Sequence, residues 1–216
     1  MNINKKLIKY NFSSRKGVSI KYIVIHDTGN TNIGSNAEAH FRYFNGADRQ
    51  SSAHYFVDDK QVLQLVEDSN SAWHCGDGKG KYGVLNSNSL GIEICVNRDG
   101  NYKKAVETTI ELTKYLMKLY SIPLENVVRH YDSSRKICPA SMSANNWKAW
   151  DEFKQALKVT DEYINLDILG KKVKVKGYFK NNTNYMILDN KEIPIRIVLE
   201  TLGLTVTGLG NEVVAK

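Results

Sequence analysis

The sequence predicts an α/β fold: a mixed central β-sheet flanked by helices, with a small C-terminal α+β domain behind it. Three observations lead there. Short apolar runs of strand length recur between Tyr22 and Tyr131, helix-periodic segments interrupt them, and the texture of the chain changes after Lys158.

The first strand is Tyr22-Ile-Val-Ile-His26, in which period two puts Tyr22, Val24 and His26 on one face. It ends in the turn Asp27-Thr-Gly29. Asn36 to Tyr43 reads as a short helix, and His54–Asp58 and Gln61–Val66 as strands. Leu90–Val96 is a strand with Gly91, Glu93 and Cys95 on one face and Ile92, Ile94 and Val96 on the other. Tyr102 to Tyr120 carries Val106, Ile110, Leu116, Met117 and Tyr120 on a helical stripe. A last strand spans Asn126–Tyr131.

Beyond Lys158 the segment Val159–Leu169 has no compact pattern, and Lys171 to Lys176 then alternates basic residues with Val. Strands are expected over Val173–Phe179 and Tyr185–Asp189, with a turn at Asn181-Asn-Thr-Asn184. Pro194 to Leu202 is a helix candidate, with Pro in its first turn and Gly203 as its stop. The expected domains are residues 1–158 and 159–216. Fewer than about 60 residues make a marginal independent domain, which leaves two expectations for the second: docking on its neighbour, or pairing with a second copy as a homo-oligomer.

The 216 residues carry a net charge of +7, with a pI near 9.1. Residues 160–216 hold 8 Lys and Arg against 7 Asp and Glu, so the positive balance belongs to the front domain. A basic surface suits nucleic acid, anionic lipid or anionic wall polymers alike. No dense Lys/Arg run interleaves with aromatics, so nucleic acid is not expected as a partner. Three cysteines, Cys75, Cys95 and Cys138, form no CxxC pair and no even framework. The first ten residues lack the apolar run of a secretory signal, and no stretch approaches a membrane span. The expectation is a protein made in the cytoplasm that does not insert into membranes.

All five histidines, all three tryptophans and all three cysteines precede Lys158, so the chemistry is expected there. His26 at a strand end, His130 in Val127-Val-Arg-His-Tyr-Asp132 and Cys138 in Lys136-Ile-Cys-Pro139 form a donor set of the kind zinc favours: three protein ligands, with a fourth position open. Spacing alone does not distinguish this set from scattered core residues. Glu93, a carboxylate inside an apolar strand, either faces a groove or sits on an exposed sheet face. Asp132 is a candidate for orienting His130 or for capping a loop. Gly78, Gly80 and Gly83 match GxGxxG, but no strand leads into them and no helix leaves, so phosphate binding is not expected. A glycine-rich rim is expected instead, beside Trp73, which either stacks on a sugar or packs a wall.

Six ordered motifs then resemble the zinc-dependent N-acetylmuramoyl-L-alanine amidases of the second amidase family, which includes phage endolysins, bacillus autolysins and relatives of the peptidoglycan recognition proteins. They are Tyr22-Ile-Val-Ile-His-Asp-Thr-Gly29, Ser52-Ala-His-Tyr-Phe-Val57, Trp73-His-Cys-Gly76, Leu90-Gly-Ile-Glu-Ile94, Val128-Arg-His-Tyr-Asp132 and Arg135-Lys-Ile-Cys-Pro139. The resemblance implies one Zn2+ held by His26, His130 and Cys138, with Glu93 and Lys136 catalytic. His54 stands where some relatives place a catalytic tyrosine, with Tyr55 turned to the opposite face. His54, Trp73 and His74 are candidates for substrate contact.

The implied activity is hydrolysis of the bond between N-acetylmuramic acid and L-alanine, in a phage endolysin acting on a Gram-positive wall after release, or in a bacterial autolysin. The implied partners are peptidoglycan and, as a second candidate, secondary wall polymers. The tail more faintly resembles wall-binding or stalk-like modules. Two other readings are a cysteine hydrolase with Cys138 as nucleophile and a module that binds peptidoglycan without cutting it.

Overall fold

The structure, a computed structural model, describes residues 1–158, 163–180, 183–188, 191–207 and 212–216. The chain divides into two compact units, Met1–Leu157 and Lys158–Lys216.

In the first unit the strands are β1 (Asn4–Lys5), β2 (Phe12–Ser14), β3 (Tyr22–Asp27), β4 (Tyr55–Val57), β5 (Val62–Gln64), β6 (Asn70–Ala72), β7 (Ser89–Ile94) and β8 (Val127–Arg129). Its helices are α1 (Ala37–Asn45), α2 (Tyr102–Tyr120), α3 (His130–Ser134) and α4 (Ala144–Lys158). Six strands form a mixed sheet in the order β1-β5-β4-β7-β3-β8, while β2 pairs with β6. Only the β4–β5 pairing within that sheet is antiparallel.

Strand alternation sorts the two faces. Ile23 and Ile25 of β3 and Ile92 and Ile94 of β7, all fully buried, pack with Leu112 and Leu116 of α2 and with Trp150, Phe153 and Leu157 of α4. At about 25 cal/mol per Å² of apolar surface removed from water, burial in this layer stabilises the sheet against its helices. The opposite face is covered in part by α1, around Ala37, Phe56 and Leu63, and in part by Val24, Cys75 and Val84. It is on this second face, at the C-terminal ends of the parallel strands, that His26 and Glu93 emerge as direct cross-strand partners.

Caps delimit the helices. The Asn36 side chain accepts from the Ala39 N–H at the start of α1, and Asn101 accepts from Lys104 at the start of α2. Two buried threonines in α2 return their hydroxyls to the backbone, Thr109 to the Ala105 carbonyl and Thr113 to that of Thr109.

The strand expected over Asn126–Tyr131 stops at Arg129, because Asp132 accepts from the Arg129 N–H and starts α3 at His130. Helix α4 was not foreseen in the sequence; Asn145, Asn146 and Trp147 in its first turn have left-handed φ of 52°, 55° and 67°.

In the second unit, β9 (Tyr163–Ile168), β10 (Lys171–Lys180), β11 (Thr183–Leu188), β12 (Lys191–Pro194), β13 (Val206–Thr207) and β14 (Glu212–Ala215) form a sheet in the order β12-β11-β10-β9-β14-β13. Helix α5 (Ile195–Thr201) begins after Pro194, and Gly203 follows it at φ 81°. The core gathers Ile164, Leu166, Ile195, Leu199 and Val213. Strand β9 occupies ground where no compact pattern was expected. Asn181 and Asn182 of the expected turn, and Asp189 of the expected strand, lie outside the described residues. No helix among the described residues is long and apolar enough to cross a membrane.

Candidate metal centre

His26 closes β3, His130 opens α3, and Cys138 lies in the loop between α3 and α4. One backbone bond and one bond to a side chain seat that loop: the Tyr131 N–H donates to the Cys138 carbonyl, and the Ser141 N–H donates to Asp27 Oδ2 at 2.7 Å. The three side chains are buried, with one ligand atom of each within 4.8 Å of the others. His26 Nδ1 lies 3.1 Å from His130 Nδ1 and 3.8 Å from Cys138 Sγ.

These spacings test whether a zinc ion fits. Two nitrogens about 2 Å from one zinc ion at tetrahedral angles lie roughly 3.3 Å apart, and a nitrogen and a sulfur roughly 3.5 Å apart. The His26–His130 and His26–Cys138 separations lie within about 0.3 Å of these values. Protonation points the same way. Burial, reinforced by the neighbouring His74 and His130, holds His26 well below its ordinary pKa, so its imidazole is neutral and offers a lone pair. Burial also lowers His130, against the pull of Asp77. It pushes the Cys138 thiol up to about 12, and the Glu93 charge adds to this. A thiolate at neutral pH there requires a cation beside it, which disfavours a metal-free thiol nucleophile.

Glu93 faces His26 across the strand pair, with Oε1 4.0 Å from His26 Nδ1. Its Oε2 is buried without a hydrogen-bond partner among the described residues. A carboxylate oxygen in that state is costly unless it handles a proton or a charge. Burial, then the charge of Asp27, pushes this carboxyl up to about 8, while Lys136 draws it down. Lys136 is exposed, yet its charge also lowers the proton affinity of His26, His130 and Cys138.

The structure corrects two expected substrate contacts. His54 is fully buried: its Nδ1 accepts from the Gly91 N–H at 3.0 Å and its Nε2 lies 2.9 Å from Arg15 Nη2, so no face is left for a ligand. His74 is also buried, with Nδ1 3.0 Å from His26 Nε2, beneath the cluster instead of in the groove. Trp73 is half-buried, and its indole N–H donates to Ser13 Oγ. Tyr55 does point away from His54, and its hydroxyl donates to Asp68. Asp132 is bonded to Arg129 and does not hold His130. Asp77 does, with Oδ1 2.8 Å from His130 Nε2. The sequence held no signal for that pairing beyond a carboxylate in a glycine-rich loop.

Residues 16–141 match the family model described as N-acetylmuramoyl-L-alanine amidase. The amidase XlyA of Bacillus subtilis is 38% identical over 159 residues, covering 73% of this chain and 51% of that protein. The amidase CwlH of the same species is 34% identical over 163 residues, covering 74% and 63%. Among solved structures, a mutant endolysin from Bacillus subtilis aligns with TM-score 0.65 and 40% identity over 73% of this chain and 99% of its own. The chain spans about half the length of the curated relatives it matches.

Proposed function

Because this chain belongs to the N-acetylmuramoyl-L-alanine amidase family, we propose that it is a zinc-dependent hydrolase of bacterial peptidoglycan, cutting the amide between N-acetylmuramic acid and the L-alanine of the stem peptide. The observation that carries this reading is the buried cluster of His26, His130 and Cys138 with the Glu93 carboxylate directly across the strand pair. A zinc ion held there would polarise the scissile carbonyl and bring the pKa of a coordinated water down toward about 7.

Glu93 takes the proton of the attacking water and delivers it to the departing alanine nitrogen. Its high proton affinity and free Oε2 suit the donating transfer, and a zinc charge beside it would favour the ionised form that accepts the water's proton. Lys136 stabilises the negative charge that develops on the carbonyl oxygen. The half-buried Trp73 offers part of a wall to the glycan.

The second unit, with no His, Cys or Trp, is read as a wall-binding module that raises the local concentration of substrate, with secondary wall polymers as candidate ligands. The likeness to an endolysin favours a phage lysin for a Gram-positive host; an autolysin of the same activity is the alternative. Digestion of purified walls tests the reading. The expected products are new L-alanine amino termini without new reducing sugars, and Glu93→Ala removes them. New reducing ends alone would mark a glycosidase.

A further inference from the structure

Both imidazoles of the cluster turn their Nδ1 atoms inward, and the partners of their outward Nε2 atoms come from a single four-residue stretch, His74 to Asp77. Resting on the metal reading above, we propose that His74 and Asp77 are positioning residues that fix the tautomers of His26 and His130, so that both Nδ1 lone pairs face the metal.

The polarity of the first chain of bonds is set at its far end. Ser89 Oγ lies 2.5 Å from the Leu85 carbonyl, which only accepts, so the single hydroxyl proton is committed there. Ser89 Oγ must then accept from His74 Nε2, 3.2 Å away. A neutral His74 protonated on Nε2 has a bare Nδ1, which accepts from His26 Nε2 at 3.0 Å. That leaves His26 Nδ1 without a proton. On the other side Asp77 offers only acceptors, so His130 Nε2 donates to it and His130 Nδ1 is the bare atom. Two lone pairs facing each other at 3.1 Å repel unless a cation lies between them.

Two glycines make room for this arrangement. A Cβ on Gly91 would lie 2.6 Å from the His74 ring, and one on Gly78 would lie 2.0 Å from the Ser133 carbonyl of α3, against which the Asp77 loop docks. Backbone at both places is pressed close so that these two side chains arrive where they do.

Zinc affinity, measured by competition with a chromophoric chelator on the full chain, tests the claim together with imidazole tautomers from long-range proton–nitrogen correlation spectra. His74→Phe and Asp77→Leu are each expected to weaken zinc binding ten- to a hundredfold. Asp77→Asn, which keeps an acceptor, should recover most of the loss. In the metal-free wild-type protein His74 is expected to carry its proton on Nε2, and in the zinc-loaded protein both ligand histidines should bind through Nδ1.

Affinities within twofold of wild type in both variants, an Nδ1–H tautomer at His74, or ligation through Nε2 at either histidine would overturn the proposal. The His74 tautomer needs neither a variant nor a metal. If the wild-type chain bound no zinc, the metal reading would fail while this measurement still decided the hydrogen-bond chain.

Discussion

Glu93 carries a tension that single substitutions expose. Its carboxyl sits at about 8 where an ordinary one sits near 4.5, so the folded metal-free chain holds a proton that the unfolded chain gives up. By linkage, that contribution to stability is complete below about pH 4 and is lost as pH rises through 8. Glu93→Gln removes the ionisation. In the metal-free protein it should leave stability at pH 4 unchanged and raise it at pH 9 by on the order of 2 kcal/mol, read from denaturant melts. The same variant should lose about 10²- to 10⁴-fold in turnover when metal is restored. A variant no more stable than wild type at pH 9 would mean that Glu93 is ionised without cost.

At this scale the sequence was most legible where one short motif carried one role. His26, His130 and Cys138 stood in separate contiguous motifs, and the fold brings their ligand atoms within 4.8 Å. What could not be read was the pairing through space. His74 passed for a substrate contact, and Asp132 stood open between orienting His130 and the capping role it takes, because sequence neighbours say nothing about which ring nitrogen meets which group. The bonds from His74 and Asp77 exist only once β7 and α3 have been folded against the loop.

The elements that support the site are held mainly from the far face of the sheet. Leu112 is fully buried between α2 and β7 in the main core. Leu112→Ala should cost about 2–5 kcal/mol of stability, while leaving activity per folded molecule within a few-fold of wild type. Thermal melts with product assays on the folded fraction check this; loss of activity without loss of stability would show that α2 reaches the chemistry directly. Strands β3 and β7 and helix α2 were plain from their periods, since burial on one face writes itself into alternation and into helical spacing. The start of α3 was missed because a side-chain cap, Asp132 on the Arg129 N–H, overrode a β-branched run. Strand β9 and helix α4 were missed because the mixed polar residues of the one, and the Asn145-Asn146 left-handed turn of the other, blur any period.

For the whole molecule, the two compact units invite separation. Two solved structures of relatives are matched over 99% of their length by 73% of this chain, and the family match ends at residue 141. A fragment ending at Leu157 should therefore fold and keep activity on soluble muropeptides, while its attack on intact walls falls about tenfold or more through lost tethering. Equal loss on both substrates would make the second unit a structural support instead. The central matter is the metal. X-ray absorption on the purified 216-residue chain, with its metal content, should find one zinc per chain bound by two nitrogens at about 2.0–2.1 Å and one sulfur at about 2.3 Å. A chain that takes up no zinc, or zinc without a sulfur neighbour, would contradict the site built from His26, His130 and Cys138.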